Sequence, residues 1–95
     1  MRLEISARAA QDIEDQTVYY ASVDHALADR FRVAILASLR HIHAFPLAYQ
    51  RFADGRHRYV MSRFPFLIVY RANEEVVQVI RVVHQARGIG WRSGL

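Results

Sequence analysis

The side chains best equipped for chemistry lie in the second half of the chain. Arg58, Arg63, Arg71, Arg81, His84 and Arg87 recur along its apolar runs, with His57 just ahead of Arg58. A guanidinium presents a planar fork of N–H donors that fits phosphate and carboxylate oxygens. A histidine ring can exchange a proton near neutral pH. Such a set suits two tasks: holding an anionic partner, or stabilising charge on a reacting phosphate. Trp91, close to Arg87 and next to Arg92, forms a second patch of the residue types that dominate binding energy at protein interfaces.

Other constellations carry less. His41 and His43 are two positions apart on a helix and cannot share a face, so no metal site is expected, and no cofactor. Gly88-Ile89-Gly90 follows a strand but opens no helix, which is not the setting of a phosphate-cradling loop. The serines lack a nucleophile elbow. The carboxylates of Glu74 and Glu75 fall in a turn, where solvent satisfies them.

The elements that must position these residues follow from periodicity. Arg2–Ser6 alternates as a short strand, and Ser6 can cap the helix after it. Ala9, Ala10, Ile13, Thr17 and Tyr20 recur at helical spacing from Ala7 to about Ala21, with Asp12, Glu14 and Asp15 mainly off the stripe. Ser22 or Asp24 caps a second helix, about His25 to Ala44, on the stripe Leu27, Phe31, Ile35, Leu39 and Ile42. Phe45-Pro46 ends it. So short a link makes the two helices an antiparallel hairpin.

An aperiodic stretch over 46–57 carries the turn signal Asp54-Gly55. Three strands follow, over 58–63, 66–71 and 76–83, joined by connections short enough for an antiparallel meander. The expectation is one α+β domain over residues 1–95, ordered β-α-α-β-β-β. Its helical hairpin covers one face of a mainly antiparallel sheet, and the other face is open and basic. Regular alternation puts Val77, Val79, Arg81 and Val83 on one face of the last strand, and Gln78, Ile80, Val82 and His84 on the other. Arg81 then either pairs with an acid such as Glu14 or Asp15, or stands on the open face to bind an anion.

Charge supports this division. All 13 basic residues are arginine, against 9 acids, for a net charge of +4. Residues 1–45 hold five arginines and six acids; residues 46–95 hold eight and three, so the positive field belongs to the second half. Cysteine is absent, which removes disulfide frameworks and thiolate metal sites. The N-terminus lacks the apolar core of a signal peptide, and no apolar run approaches the roughly 20 residues of a membrane span. The expected setting is cytoplasmic, with no membrane association.

Two ordered stretches carry a family resemblance. Phe64-Pro65-Phe66-Leu67-Ile68-Val69-Tyr70-Arg71, then Val79-Ile80-Arg81-Val82-Val83-His84-Gln85-Ala86-Arg87, resemble the RelE/ParE toxin superfamily, in its ParE-like branch. Ala9–Glu14, Tyr19-Tyr20, Ala28–Phe31 and Phe45-Pro46 agree with it earlier in the chain. The resemblance implies the toxin of a type II toxin–antitoxin pair, of the kind tied to plasmid stabilisation, held in a hetero-oligomer with a cognate antitoxin. ParE-like members poison DNA gyrase by binding; RelE-like members act with the ribosome and cut mRNA.

The ribonuclease alternative would rest on Arg81 and His84 as catalytic residues. Here Phe66-Leu67-Ile68-Val69 stands where ribonuclease branches place a basic group, the chain has no lysine, and no tyrosine follows His84. That favours the gyrase inhibitor. Arg58, Arg63, Arg71, Arg81, His84, Arg87 and Trp91 are then the expected antitoxin- or target-binding residues. A free-standing nucleic-acid module fits less well, because Phe66 and Tyr70 read as core and not as a stacking platform.

Overall fold

The computed structural model describes residues 1–86. The elements are β1 (Arg2–Ile5), α1 (Ala7–Val23), α2 (His25–Ala44), β2 (His57–Val60), β3 (Phe66–Ala72) and β4 (Val76–His84). The expected α+β order is the one observed. Ser6 makes the first corner. Its Oγ accepts the Ala9 N–H at 3.0 Å, capping α1, and donates to Ile80 O at 2.9 Å. Asp24 makes the second: its N–H donates to Tyr20 O to close α1, and its Oδ1 accepts from Ala26 N–H at 3.0 Å to open α2. One residue thus serves as both caps, which forces the tight hairpin.

β2 ends at Val60, whereas the sequence pattern ran on to Arg63. The chain has to reverse ahead of Pro65, which offers no N–H, and Met61 N–H closes that turn on Phe66 O at 3.0 Å. Arg63 therefore sits in a turn and not on a strand.

The hairpin packs on one sheet face around Phe31, which is fully buried. Its ring meets Tyr20 and Phe64 at 5.3 Å and Phe66 at 5.6 Å, mostly edge-on. The apolar stripe of α2 and the sheet residues Phe66, Ile68, Tyr70, Val77, Val79 and Val82 complete this core. Phe66 and Tyr70 are core, as expected.

The sheet order is β1-β4-β3-β2. The meander is antiparallel, while β1 pairs parallel with β4, so the sheet is mixed. The register slips where Val69 pairs with Arg81 but Tyr70 pairs with Val79, leaving Ile80 as a bulge. Beyond it the strand's alternation inverts. Val82 and His84, paired with Ile68 and Phe66, join the helix-facing side, contrary to the regular pattern expected from sequence.

The opposite face also departs from expectation. Leu67, Val69 and Val83 alternate with the helix-facing residues, yet each is buried. This face is not an open basic surface: aliphatic side chains occupy its centre.

The irregular segment 45–56 is pinned to the sheet. Tyr70 Oη donates to Pro46 O at 2.6 Å, His57 Nδ1–H donates to Tyr49 O at 3.0 Å, and the two rings stack at 5.1 Å. Burial, with help from Tyr49, pushes the Tyr70 phenol above its usual range. Unfolded, the same phenol ionises near pH 10. Stability from the neutral phenol is therefore complete below about pH 10 and declines as pH rises beyond it. Tyr70→Phe is expected to cost about 1–2 kcal/mol at pH 7, because Pro46 O loses its donor. It should also flatten the alkaline decline. Urea unfolding between pH 7 and 11 measures both; an unchanged alkaline slope would assign the decline to Tyr20, whose phenol burial also raises.

Candidate functional site

Where β1 stops and α1 begins, β4 continues without a strand partner on that side among the described residues. Asp12, in the second turn of α1, fills the gap. Its Oδ2 accepts Val82 N–H at 2.9 Å and Arg81 Nε at 2.8 Å, and its Oδ1 accepts Arg81 Nη2 at 3.2 Å. The pair is mostly buried, with 14% of the Asp12 and 23% of the Arg81 side chain exposed. Arg8 Nε stands 3.8 Å from the same carboxylate on the solvent side. The partner of Arg81 is thus Asp12, and neither Glu14 nor Asp15. Asp12 borders the apolar stripe between Ala9 and Ile13, which is the signal the sequence offered for it.

This ion pair forms one end of a cleft of about 510 Å³. Asp15 and Gln16 extend the α1 wall, and Phe66, Val83 and His84 supply the sheet wall. Arg81 and His84 both line this cleft, although the register beyond the bulge still alternates them to opposite faces of β4; Arg81 reaches it at the strand's edge through its pairing with Asp12. His84 is exposed, packs edge-on against Phe66 at 5.4 Å, and accepts the Ala86 N–H at Nδ1 at 3.1 Å. That contact places the proton of the neutral ring on Nε2. The cleft offers one proton-exchanging ring and one guanidinium already engaged by a carboxylate.

The remaining residues named from sequence are scattered. Arg58 lies on the outer edge of β2, where its Nε donates to Gln50 Oε1 at 2.6 Å. Arg71 is exposed near the end of β3; with Arg56, it helps hold the Asp54 carboxyl below its usual range, the Arg56 backbone N–H bond being the largest cause. Arg63 stands in the β2–β3 turn, beside a second groove. Arg87 and Trp91 lie outside the described residues. Among the described residues the basic set does not converge on one site, and only Arg81 and His84 line the same cleft.

Sequence reasoning missed that second groove. It runs between α2 and the end of β2, about 720 Å³ in volume, lined by Leu27, Arg30, Val33, Tyr59, Met61 and Phe64 among others. The available signal was Val33, an apolar residue off the core stripe of α2, which is 67% exposed.

A helical hairpin on an antiparallel meander, with the N-terminal strand added in parallel beside the last one, defines the RelE/ParE class of small toxin folds. The family model described as the ParE toxin of the type II toxin–antitoxin system parDE matches residues 3–89, and the chain belongs to that family. A solved structure described as the chromosomal ParDE TA system from P. aeruginosa superposes with a TM-score of 0.67. It covers 88% of this chain and 95% of the other at 17% identity, a likeness of fold. No protein of curated function matches the chain.

Proposed function

We propose that the chain is the toxin of a toxin–antitoxin pair, acts in the cytoplasm by binding DNA gyrase, and is neutralised by a cognate antitoxin. Membership in the ParE family supports the toxin role. The observation that carries binding over RNA cleavage is the state of Arg81. Its guanidinium fork is occupied by Asp12, so it is not free to take a phosphate oxygen. The first half of β3 adds no cation: Phe66–Val69 are all apolar and buried, and Arg71 stands at the far end of the strand. Among the described residues no free guanidinium stands beside His84 in the cleft, and a cleft so lined is poorly equipped to stabilise a pentacovalent phosphate. In this reading the exposed residues Arg63, Arg71 and His84 serve binding.

The ribonuclease reading keeps one observation in its favour, the shared cleft of Arg81 and His84. One experiment separates the two. Purified protein, added to gyrase, ATP and relaxed plasmid, is expected to block supercoiling and accumulate linear DNA. Programmed ribosomes given the same protein should yield intact mRNA. Cleaved mRNA that disappears with His84→Ala, alongside unaffected gyrase, would reverse the assignment.

A further inference from the structure

β1 is an outer strand of the sheet, and half of its backbone points away from the molecule. Arg2 N–H and Ser6 N–H donate to Glu75 O and Val79 O at 2.9 Å each, so the amides of Arg2, Glu4 and Ser6 face β4. Alternation turns the N–H and C=O groups of Leu3 and Ile5 the other way. Among the described residues no hydrogen bond reaches them. An edge of this kind invites another strand unless a proline, a bulge or like charge deters it. β1 has neither proline nor bulge, and its two charged residues, Arg2 and Glu4, are of opposite sign. Leu3 packs against the core, which puts Arg2 and Glu4 on the face away from the helices. Ile5, on the same side as Leu3, is 42% exposed, and Met1 is exposed as well.

We propose that β1 pairs antiparallel with β1 of a second copy, about a two-fold axis through Leu3, so that two four-stranded sheets join into one. Residues opposed in an antiparallel pair either both turn their amides toward the partner or both turn them away. With most of the strand engaged, that condition and the symmetry leave an axis at Arg2, Leu3 or Glu4. An axis at Arg2 sets Arg2 against its own copy, and one at Glu4 sets Glu4 against its own, like charges directly opposed. The axis at Leu3 instead sets Arg2 opposite Glu4 twice, at closely spaced positions of the ladder. The two Leu3 residues then exchange both backbone bonds. Arg2 Nη2 already stands 3.9 Å from Glu4 Oε1 within one chain, so the four side chains close into a ring of alternating sign. On the helix-facing side Ile5 meets Met1 of the other copy and extends the apolar row begun by Leu3. A second copy suits this edge because the order Arg-Leu-Glu is its own charge complement when reversed. The net charge of +4 on each copy opposes approach and the contact is small, so the dimer is weak and concentration-dependent. It does not depend on which target the chain acts on.

The chain has no cysteine, so disulfide trapping on the full-length protein reads one pair at a time. Arg2→Cys and Glu4→Cys proteins, mixed and oxidised, are expected to give a linked heterodimer, because residues opposed at a closely spaced position lie within disulfide reach. Either variant alone should link at least tenfold more slowly. Sedimentation velocity on the cysteine-free chain should show mass rising with concentration. Arg2→Glu and Glu4→Arg, made singly, each turn both opposed pairs from unlike to like charge and should raise the dimer Kd at least tenfold. The double exchange Arg2→Glu with Glu4→Arg should bring Kd back to within about threefold of the unaltered chain. Both positions are exposed, so melting curves of dilute protein should stay unchanged in every variant. Faster linking of one cysteine variant alone than of the mixture moves the axis and overturns the register. A chain that stays monomeric at every concentration leaves the edge to an unlike strand and overturns the proposal. A dimer indifferent to the charge changes uses another face and overturns it too.

Discussion

Asp12→Ala is expected to lower the unfolding free energy by about 2–3 kcal/mol, more than Arg81→Ala does. Asp12 answers three donors at once: two from Arg81 and the backbone N–H of Val82. Its loss strands a mostly buried guanidinium and a strand amide together. A hydrogen bond to a charged group contributes about 1.5–3 kcal/mol. Breaking a fully buried pair costs about 3–5 kcal/mol, and the residual exposure of these two side chains trims that figure.

Arg81→Ala removes its own charge and leaves Asp12 bonded to Val82, with Arg8 still nearby. The double variant should therefore lie close to the Asp12 single variant, with a coupling of about 1–2 kcal/mol in urea unfolding. Zero coupling would mean that the ion pair does not hold the bulge. The same variants separate structure from function. If the pair serves the fold and the proposed gyrase reading holds, Arg81→Ala is expected to lose stability while its folded fraction matches the unaltered chain in a gyrase assay.

Phe31→Ala should have the largest effect on stability, about 3–5 kcal/mol. The ring is fully buried and touches aromatic rings of α1, the β2–β3 turn and β3 together. A chain of this length has roughly 5–14 kcal/mol in total, so the variant keeps little margin. Its melting temperature should fall by well over 10 °C, since each kcal/mol shifts a domain of this size by roughly 4–8 °C. Calorimetry measures this directly. A drop of only a few degrees would show that the hairpin repacks and that the aromatic cluster is not the keystone of the core.

The elements were legible because their signals are local. Ser6 and Asp24 announce helix starts, and Pro46 a stop; the stripe from Leu27 to Ile42 is visible without coordinates. β3 was readable as core because Phe66 to Tyr70 is apolar at every position. The site was less legible. Arg81 and His84 were both singled out, but which of them shares a face with Val77 and Val79 depended on one unpaired residue, Ile80, and a bulge has no reliable mark in a strand of valines and isoleucines. The groove escaped because its walls come from α2 and a turn some 30 residues later, and sequence periodicity reports one element at a time.

The sequence by itself determined the α+β order, the helical hairpin, the hydrophobic strand at the sheet's centre and the excess of arginine in the second half. These follow from capping, period and composition, which act over a few neighbouring residues. Only the tertiary structure decided what the arginines do. Arg81 became half of an ion pair because β1 ends one turn before α1 brings Asp12 to the exposed side of β4. Arg63 became part of a groove because β2 ended early. A guanidinium takes its role from whichever carboxylate, or absence of one, the fold places beside it, and residues 12 and 81 meet only after the chain has closed.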